Sequence, residues 1–362
     1  MLPVKALRYL NYSLISVVIF ILAMGLLFIY SASYHGQWPA MVSKQFMWIG
    51  LGVGVFWFVL NINLRQFASM SYILYGISVI FLVAVLFIGA DRQGARSWFN
   101  LGLLNLQPSE FAKLGIVFAL ARFYSDKFHL ARKFHFAIWS FLIVGIPMVL
   151  MAKQPDLGTA MVLIPVVLGM LFVAGYPLRY FIVYGAAALS LIPLGWHYLH
   201  DYQRQRILVF LNPNLDPLGA GYTAIQSKIA IGSGGLIGKG WLEGTQNQLQ
   251  FLPERHTDFI FSVLGEEWGF MGCFILICLY LFLVLNGMKI AKDSTDLFGK
   301  FLACGVTLLL VSHIFINIGM TVGLMPITGI PLPLMSYGGS HLVMVMIVLG
   351  LLENVHLRKL IH

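Results

Sequence analysis

The feature that most constrains this chain is a succession of apolar runs of the length, about 17 to 25 residues, that carries a helix across a bilayer. They lie at residues 12–31, 45–61, 70–90, 108–124, 136–153, 157–175, 179–197, 258–286, 301–321 and 339–356. Inside the hydrocarbon layer there is no water to satisfy backbone N–H and C=O groups, so such runs are committed to helices. The expected fold class is all-α: a polytopic integral membrane protein of about ten transmembrane helices. With 59% hydrophobic and only 10% charged residues, the composition excludes a soluble domain. The first run begins after Lys5 and Arg8 and ends at Ser31-Ala32-Ser33, which has the look of a signal-peptide cleavage site; its length predicts a retained anchor instead.

A formal charge of +9 raises the question of nucleic acid, but the basic residues sit in short clusters between apolar runs, so no nucleic-acid partner is expected. Those clusters report orientation. Counted from a cytoplasmic N-terminus, the even-numbered connections carry Arg65, then Arg122, Lys127, Arg132 and Lys133, then Arg179, then Lys289, Lys292 and Lys300, and the tail carries Arg358 and Lys359. The positive-inside rule puts both termini in the cytoplasm. No inverted repeat and no low-complexity linker divides the chain, so residues 1–362 read as a single membrane domain. Cys273, Cys278 and Cys304 all fall within apolar runs and read as packing residues rather than a disulfide framework or a zinc site.

One connection is long. Residues 198–257 form a large extracytoplasmic loop on this topology, and long loops in compact proteins are usually functional. Tyr222 to Ile231 is expected as a short amphipathic helix on the membrane surface. The glycine-rich GSGGLIGKG (232–240) departs from a phosphate-binding P-loop at Ser233 and Gly240; it reads as a turn needing positive φ, with Lys239 as a candidate anion ligand. His197, His200 and Asp201 have metal-ligand spacing, but Trp196, Tyr198 and Tyr202 around them favour an interfacial helix end.

Ionisable residues at membrane depth point to function by default. Glu110 and Lys113 share one helix face and neutralise each other, and with Asp156 of KQPDLGTA they form either a structural ion pair or the lining of a polar cavity. Asp258 follows Glu254, Arg255 and His256 at the mouth of the run beginning Phe259. Thr257 or Asp258 can cap that helix; a carboxylate there can equally act as a base or hold a divalent cation, with Arg204, Arg206 and Arg255 meeting a phosphorylated substrate.

The blocks QPSEFAK (107–113), KQPDLGTA (153–160), HDYQRQRI (200–207), DPLGAGY (216–222), QSKIAIGSGGLIGKGW (226–241), FLPERHTDFIF (251–261) and NIGM with GLMPITGIPLPLMSYGGS (317–340) together resemble the SEDS family, which includes the RodA-type rod-shape-determining proteins and the cell-division protein FtsW. The likeness covers nearly the whole chain. It implies a ten-helix peptidoglycan glycosyltransferase of the bacterial inner membrane, polymerising lipid II at the outer face during cell elongation and rod-shape maintenance. It also implies a class B penicillin-binding transpeptidase and other elongation-complex proteins as partners, and the essential carboxylate at Asp258.

The chemistry of the residues agrees. Extending a glycan strand needs a base for the attacking sugar hydroxyl and cations for the departing diphosphate. Asp258 is the candidate base or a ligand to a divalent cation (Mg or Mn), Arg204, Arg206, Lys239 and Arg255 are candidates for the anion, and no organic cofactor is called for. The block GIPLPLMSYGGS is a candidate wall for the lipid tail. Two other readings compete, a lipid-linked precursor transporter and a non-catalytic scaffold for the transpeptidase; the charged loop ending at Asp258 favours the enzyme.

Overall fold

The computed structural model describes residues 8–34, 36–92, 95–100, 105–198 and 201–361. Its helices follow the apolar runs closely: α1 (Tyr12–Ser33), α2 (Ala40–Asn61), α3 (Leu64–Ile88), α4 (Pro108–Lys127), α5 (Phe134–Lys153), α6 (Leu157–Val173), α7 (Leu178–Tyr198), then α8 (Asp201–Leu211), α9 (Ala220–Ser233) and α10 (Thr245–Gln248), and finally α11 (Ile260–Asp293), α12 (Leu297–Val322) and α13 (Gly339–Ile361). Seven of these, α1, α2, α3, α5, α11, α12 and α13, are long and apolar enough to cross a membrane by length and composition. The 20 residues of α4, 17 of α6 and 21 of α7 also reach spanning length and complete ten. The protein is a multi-pass, essentially all-helical membrane protein.

Local chemistry sets several ends. Asn11, Asn63, Asp156 and Asp296 accept backbone N–H bonds at the starts of α1, α3, α6 and α12. Successive helices alternate in direction, so one end of the bundle gathers the ends of α1 and α12 with the starts of α4, α6, α11 and α13. One continuous core runs from Leu14 of α1 to Val355 of α13. The buried axis is α12, which packs against α4, α6, α11 and α13.

Between α3 and α4 a small antiparallel sheet of three strands, Ala90–Arg92, Ala95–Asn100 and Asn105–Leu106, interrupts the helical pattern unannounced by the sequence. The 198–257 connection is likewise more structured than a loop. Its α9 does form, but it packs into the bundle instead of lying on a membrane surface: Ser227 is fully buried, its hydroxyl 2.7 Å from Ser262 Oγ and from the Thr321 carbonyl. The glycine turn after α9 is spliced into a break in α11. Gly269 (φ 61°, ψ −156°) interrupts that helix, and the N–H groups of Phe270 and Met271 donate to the carbonyls of Gly235 and Leu236. In return Lys239 and Gly240 donate to Glu266 and Glu267. A β-carbon at Gly238 (φ 83°) would overlap the Glu267 backbone, so the turn needs glycine both for its conformation and for its approach.

Two sequence expectations are corrected. The 329–340 block does not wall a lipid groove; Ile330, Leu332, Leu334 and Met335 are buried, and Gly25 of α1 comes so close that a β-carbon there would lie 2.7 Å from the Leu334 carbonyl. Cys273 and Cys304 are buried packing residues as expected, whereas Cys278 is exposed on α11. His200 lies outside the described residues, as do the side chains of Tyr198 and Tyr202, so the metal spacing at 197–201 has no counterpart among them.

Candidate active site

The segment before α11 is held residue by residue. The N–H groups of Thr257, Asp258 and Phe259 converge on the Glu254 carbonyl at 3.2, 3.1 and 3.4 Å, and Glu254 itself takes the left-handed φ of 47° that costs a non-glycine residue energy. Arg255 Nε donates to the Ala32 carbonyl at the end of α1 (2.6 Å). The His256 carbonyl accepts from the Tyr337 N–H (2.9 Å), the Thr257 carbonyl from Ser336 Oγ (2.5 Å) and the Asp258 carbonyl from Asn317 Nδ2 (2.8 Å). Four consecutive residues are thereby fixed to α1, α12 and the 323–338 connection.

The Asp258 carboxyl is not spent on capping. Phe259 is the first residue of α11's boundary and no side chain caps it, which corrects the expectation that Thr257 or Asp258 would. Thr257 Oγ1 instead donates to the Glu254 carbonyl at 3.1 Å. The Asp258 carboxyl faces Gly329, where a β-carbon would lie 3.4 Å from Oδ2. Burial pushes its pKa up to about 7, Glu254 adds to the rise, and Thr257 and Arg206 oppose it. Burial also holds the His256 imidazole below its ordinary value, so it is neutral where Asp258 titrates.

Beneath this mouth lies a second, closed group of charges. Lys113 Nζ is 2.7 Å from Glu110 Oε1 and 2.7 Å from His313 Nε2, and Glu110 Oε2 accepts from His341 Nδ1 at 3.0 Å. All four side chains are buried. His313 Nδ1 lies 2.8 Å from the Leu309 carbonyl, which fixes the proton on Nδ1 and leaves Nε2 to accept from the ammonium. Sequence reasoning missed both histidines, although each is an ionisable residue within an apolar helix, the signal that had singled out Glu110. Asn317 sits one turn beyond His313 on α12, on the same face, and so links the two groups.

The remaining candidates have other occupations. Asp156 does not enter the Glu110 network; it caps α6 through the Thr159 N–H and accepts from Ser109 Oγ and Gln107 Nε2, each at 3.1 Å. Arg204 donates to the Trp196 and His197 carbonyls, both at 3.0 Å, closing the end of α7. Lys239 is the counter-ion of the buried Glu266, 2.8 Å away, whose carboxylate also accepts from Thr245 Oγ1 and the N–H groups of Gln246 and Asn247. Next to it Glu267 bonds Ser31 Oγ and Asn247 Nδ2. Arg206 helps to favour the ionised form of Asp258.

Glu110, His313 and His341 present ligand atoms within 4.8 Å of one another and so form a possible metal-ligand group. The Lys113 ammonium already bridges Glu110 and His313, which makes it the resident cation and leaves a divalent ion no vacant charge to balance. Asp258 belongs to no three-ligand group among the described residues. An Mg-type ion there would draw most of its shell from substrate oxygens and water, as such ions commonly do.

Comparison with known proteins gives this arrangement its relatives. Residues 12–360 match the family model of the FtsW/RodA/SpoVE cell cycle proteins. The peptidoglycan glycosyltransferase MrdB of Escherichia coli K12 is 42% identical over 352 residues, covering 97% of this chain and 94% of that protein. The peptidoglycan glycosyltransferase RodA of Treponema pallidum is 34% identical, covering 97% and 98%. Among solved structures, a chain of a peptidoglycan synthase complex that coordinates polymerization and crosslinking superposes with a TM-score of 0.84 at 37% identity, covering 97% of this chain and 98% of that one. The rod shape determining protein RodA of Thermus thermophilus gives 0.72 at 32% identity, with 96% of each chain covered. With the match running from the first helix to the last, this chain belongs to the FtsW/RodA/SpoVE family.

Proposed function

We propose that this protein is a peptidoglycan glycosyltransferase that polymerises lipid II at the outer face of the bacterial inner membrane, with Asp258 as the general base. The observation that carries the reading is the clamped 255–258 segment, which presents a carboxyl near neutral pKa at the bundle end. A base works best when its pKa lies near the operating pH. Asp258 takes the proton of the acceptor sugar hydroxyl while that oxygen bonds to the anomeric carbon of the donor. The anomeric C–O bond to the diphosphate breaks, and its electron pair leaves on the polyprenyl diphosphate. In the alternative in which Asp258 is a metal ligand rather than the base, it would hold a divalent ion, Mg or Mn, that supplies positive charge to the diphosphate.

The basic connections support cytoplasmic termini and, with them, an extracytoplasmic Asp258. The single connected core supports one SEDS-type domain over residues 1–362, with 198–257 as its extracytoplasmic loop. A class B penicillin-binding transpeptidase is the proposed partner, on the strength of the solved synthase complex. A transporter reading finds less support, because the Glu110 network is confined to one end of the bundle instead of tracing a polar path through it. Glycan formation from labelled lipid II by the purified protein is the test: strands from the wild type and none from Asp258→Asn are expected, and a wild type that moves lipid II between leaflets without polymer would overturn the reading.

A further inference from the structure

A narrow cleft of about 30 Å³ lies between α8, α9, the end of α12 and the turn that follows, lined among others by Arg206, Phe210, Lys228, Met320, Met325 and Ile327. Lys228 was not singled out by its sequence. It is exposed on α9 and, among the described residues, has no hydrogen-bond or ion-pair partner, in contrast to Arg204 and Lys239. Its side chain crosses directly over Gly323, where φ is 80° and a β-carbon would overlap it. The bland account is that the ammonium complements the negative end of α12.

Two independent observations bring this cleft beside Asp258. Arg206, in its wall, acts on the Asp258 carboxyl. Ile327, also in its wall, is two residues from Gly329, the residue the carboxyl faces; two residues of chain reach at most about 7 Å. The cleft therefore combines cations with an apolar wall, one residue of which lies two positions from the glycine that the proposed base faces, a mixture suited to a ligand whose charge and hydrocarbon meet at one point.

Resting on the glycosyltransferase reading, we propose that the diphosphate of the lipid-linked donor lies across the mouth of this cleft, with Lys228 and Arg206, both exposed there, on its oxygens and the apolar wall against the start of the isoprenoid chain. When the anomeric C–O bond breaks, the departing diphosphate gains one negative charge. Cations already in place there stabilise the transition state more than the ground state. Lys228 would then serve both binding of the donor and departure of its leaving group.

The test is the affinity of undecaprenyl diphosphate for the full-length protein in nanodiscs of zwitterionic phospholipid, measured directly so that it does not depend on turnover. Lys228→Gln is expected to weaken binding roughly 10- to 100-fold, the usual worth of a hydrogen bond to a charged group, and Lys228→Arg to restore most of it. Unchanged affinity in Lys228→Gln overturns the proposal, and unchanged affinity with a lower melting temperature assigns Lys228 to the end of α12. A loss seen only in discs containing an anionic phospholipid also overturns it, and points to a lipid headgroup in the cleft. Because binding is read separately, a wild type that binds the diphosphate but forms no glycan would sink the polymerase reading and leave the cleft standing.

Discussion

Around Glu110 each buried charge is matched. The carboxylate meets an ammonium and an imidazole N–H, the ammonium meets a second imidazole, and that ring is pinned to its own helix. At Asp258, one turn of α12 away, the balance shifts: the backbone is tied down at every residue while the carboxyl lies against a glycine, its charge opposed by burial and Glu254 more than Thr257 and Arg206 favour it. Matched charges hold a structure together, because removing either partner leaves the other stranded in low dielectric. A buried carboxyl so weakly supported, on a rigid backbone, is costly to ionise and is the kind of group that can take a proton. On the proposed reading the two sites divide labour between holding the end of the bundle and acting at it.

The largest effect should come from Asp258→Asn. Polymerisation should fall by at least about 10² to 10⁴, the usual worth of a general base. Stability should not fall with it. A carboxyl whose pKa is raised on folding binds its proton more tightly in the folded state, so stability is lost as pH rises from the unfolded value toward about 7. The amide removes that loss, and above pH 7 the variant should melt no lower than the wild type. Near wild-type polymerisation by a folded Asp258→Asn protein would dissolve the contrast between the two sites.

The same raised pKa predicts the pH profile. Below about 7 the carboxyl is protonated and cannot act as a base, so kcat/KM should drop close to tenfold per pH unit there and level off above it. A plateau reaching down to pH 5 would mean an ordinary carboxylate. If the limb instead moves with the concentration of Mg or Mn, Asp258 is a metal ligand.

For the matched site the expected loss is in folding first. Glu110→Leu leaves Lys113 without its carboxylate and should cost about 3 to 5 kcal/mol, as broken buried pairs do. Adding Lys113→Met removes the stranded charge and should recover most of that stability, as read by melting temperature in detergent. The double variant should still polymerise more slowly than the wild type, since His313 and Asn317 share a face of α12 and Asn317 carries the Asp258 carbonyl. That loss should be smaller than the one from Asp258→Asn. A double variant no more stable than the single one would mean that Glu110 and Lys113 do not act as a pair.

How far the sequence could be read follows from what each signal depends on. The ten long helices were legible, with ends off by as many as seven residues as at Asp293 of α11, because lipid leaves a long apolar run no other regular structure. The sheet at 90–106 was not, since its strands of 3, 6 and 2 residues are too short for alternation to register. Asp258 was singled out by its setting among charges at the mouth of an apolar run, but the claim on each cation was not legible. Charge is a property of a residue and pairing a property of the fold: Lys239 is held by Glu266, 27 positions on, and Arg204 by carbonyls that every residue possesses. His313 and His341 were hidden for the same reason, each lying alone in its own helix until α12 and α13 bring both to Glu110.

The smallest effect tests that lesson at Arg204. Were it an anion ligand, as its sequence suggested, Arg204→Gln would raise KM for lipid II and steepen when salt is lowered. The structure gives its guanidinium to the Trp196 and His197 carbonyls, with Asp201 only 3.6 Å away as a further partner. A half-exposed arginine in that role closes the end of α7, and charge-assisted bonds to carbonyls, worth about 1.5 to 3 kcal/mol when buried, are worth less at this exposure. Arg204→Gln should therefore lower the melting temperature slightly and leave KM and its salt dependence within about twofold of the wild type. A tenfold rise in KM with no change in melting would return Arg204 to the substrate, and would place the loop cations on the acting side of the contrast rather than the holding side.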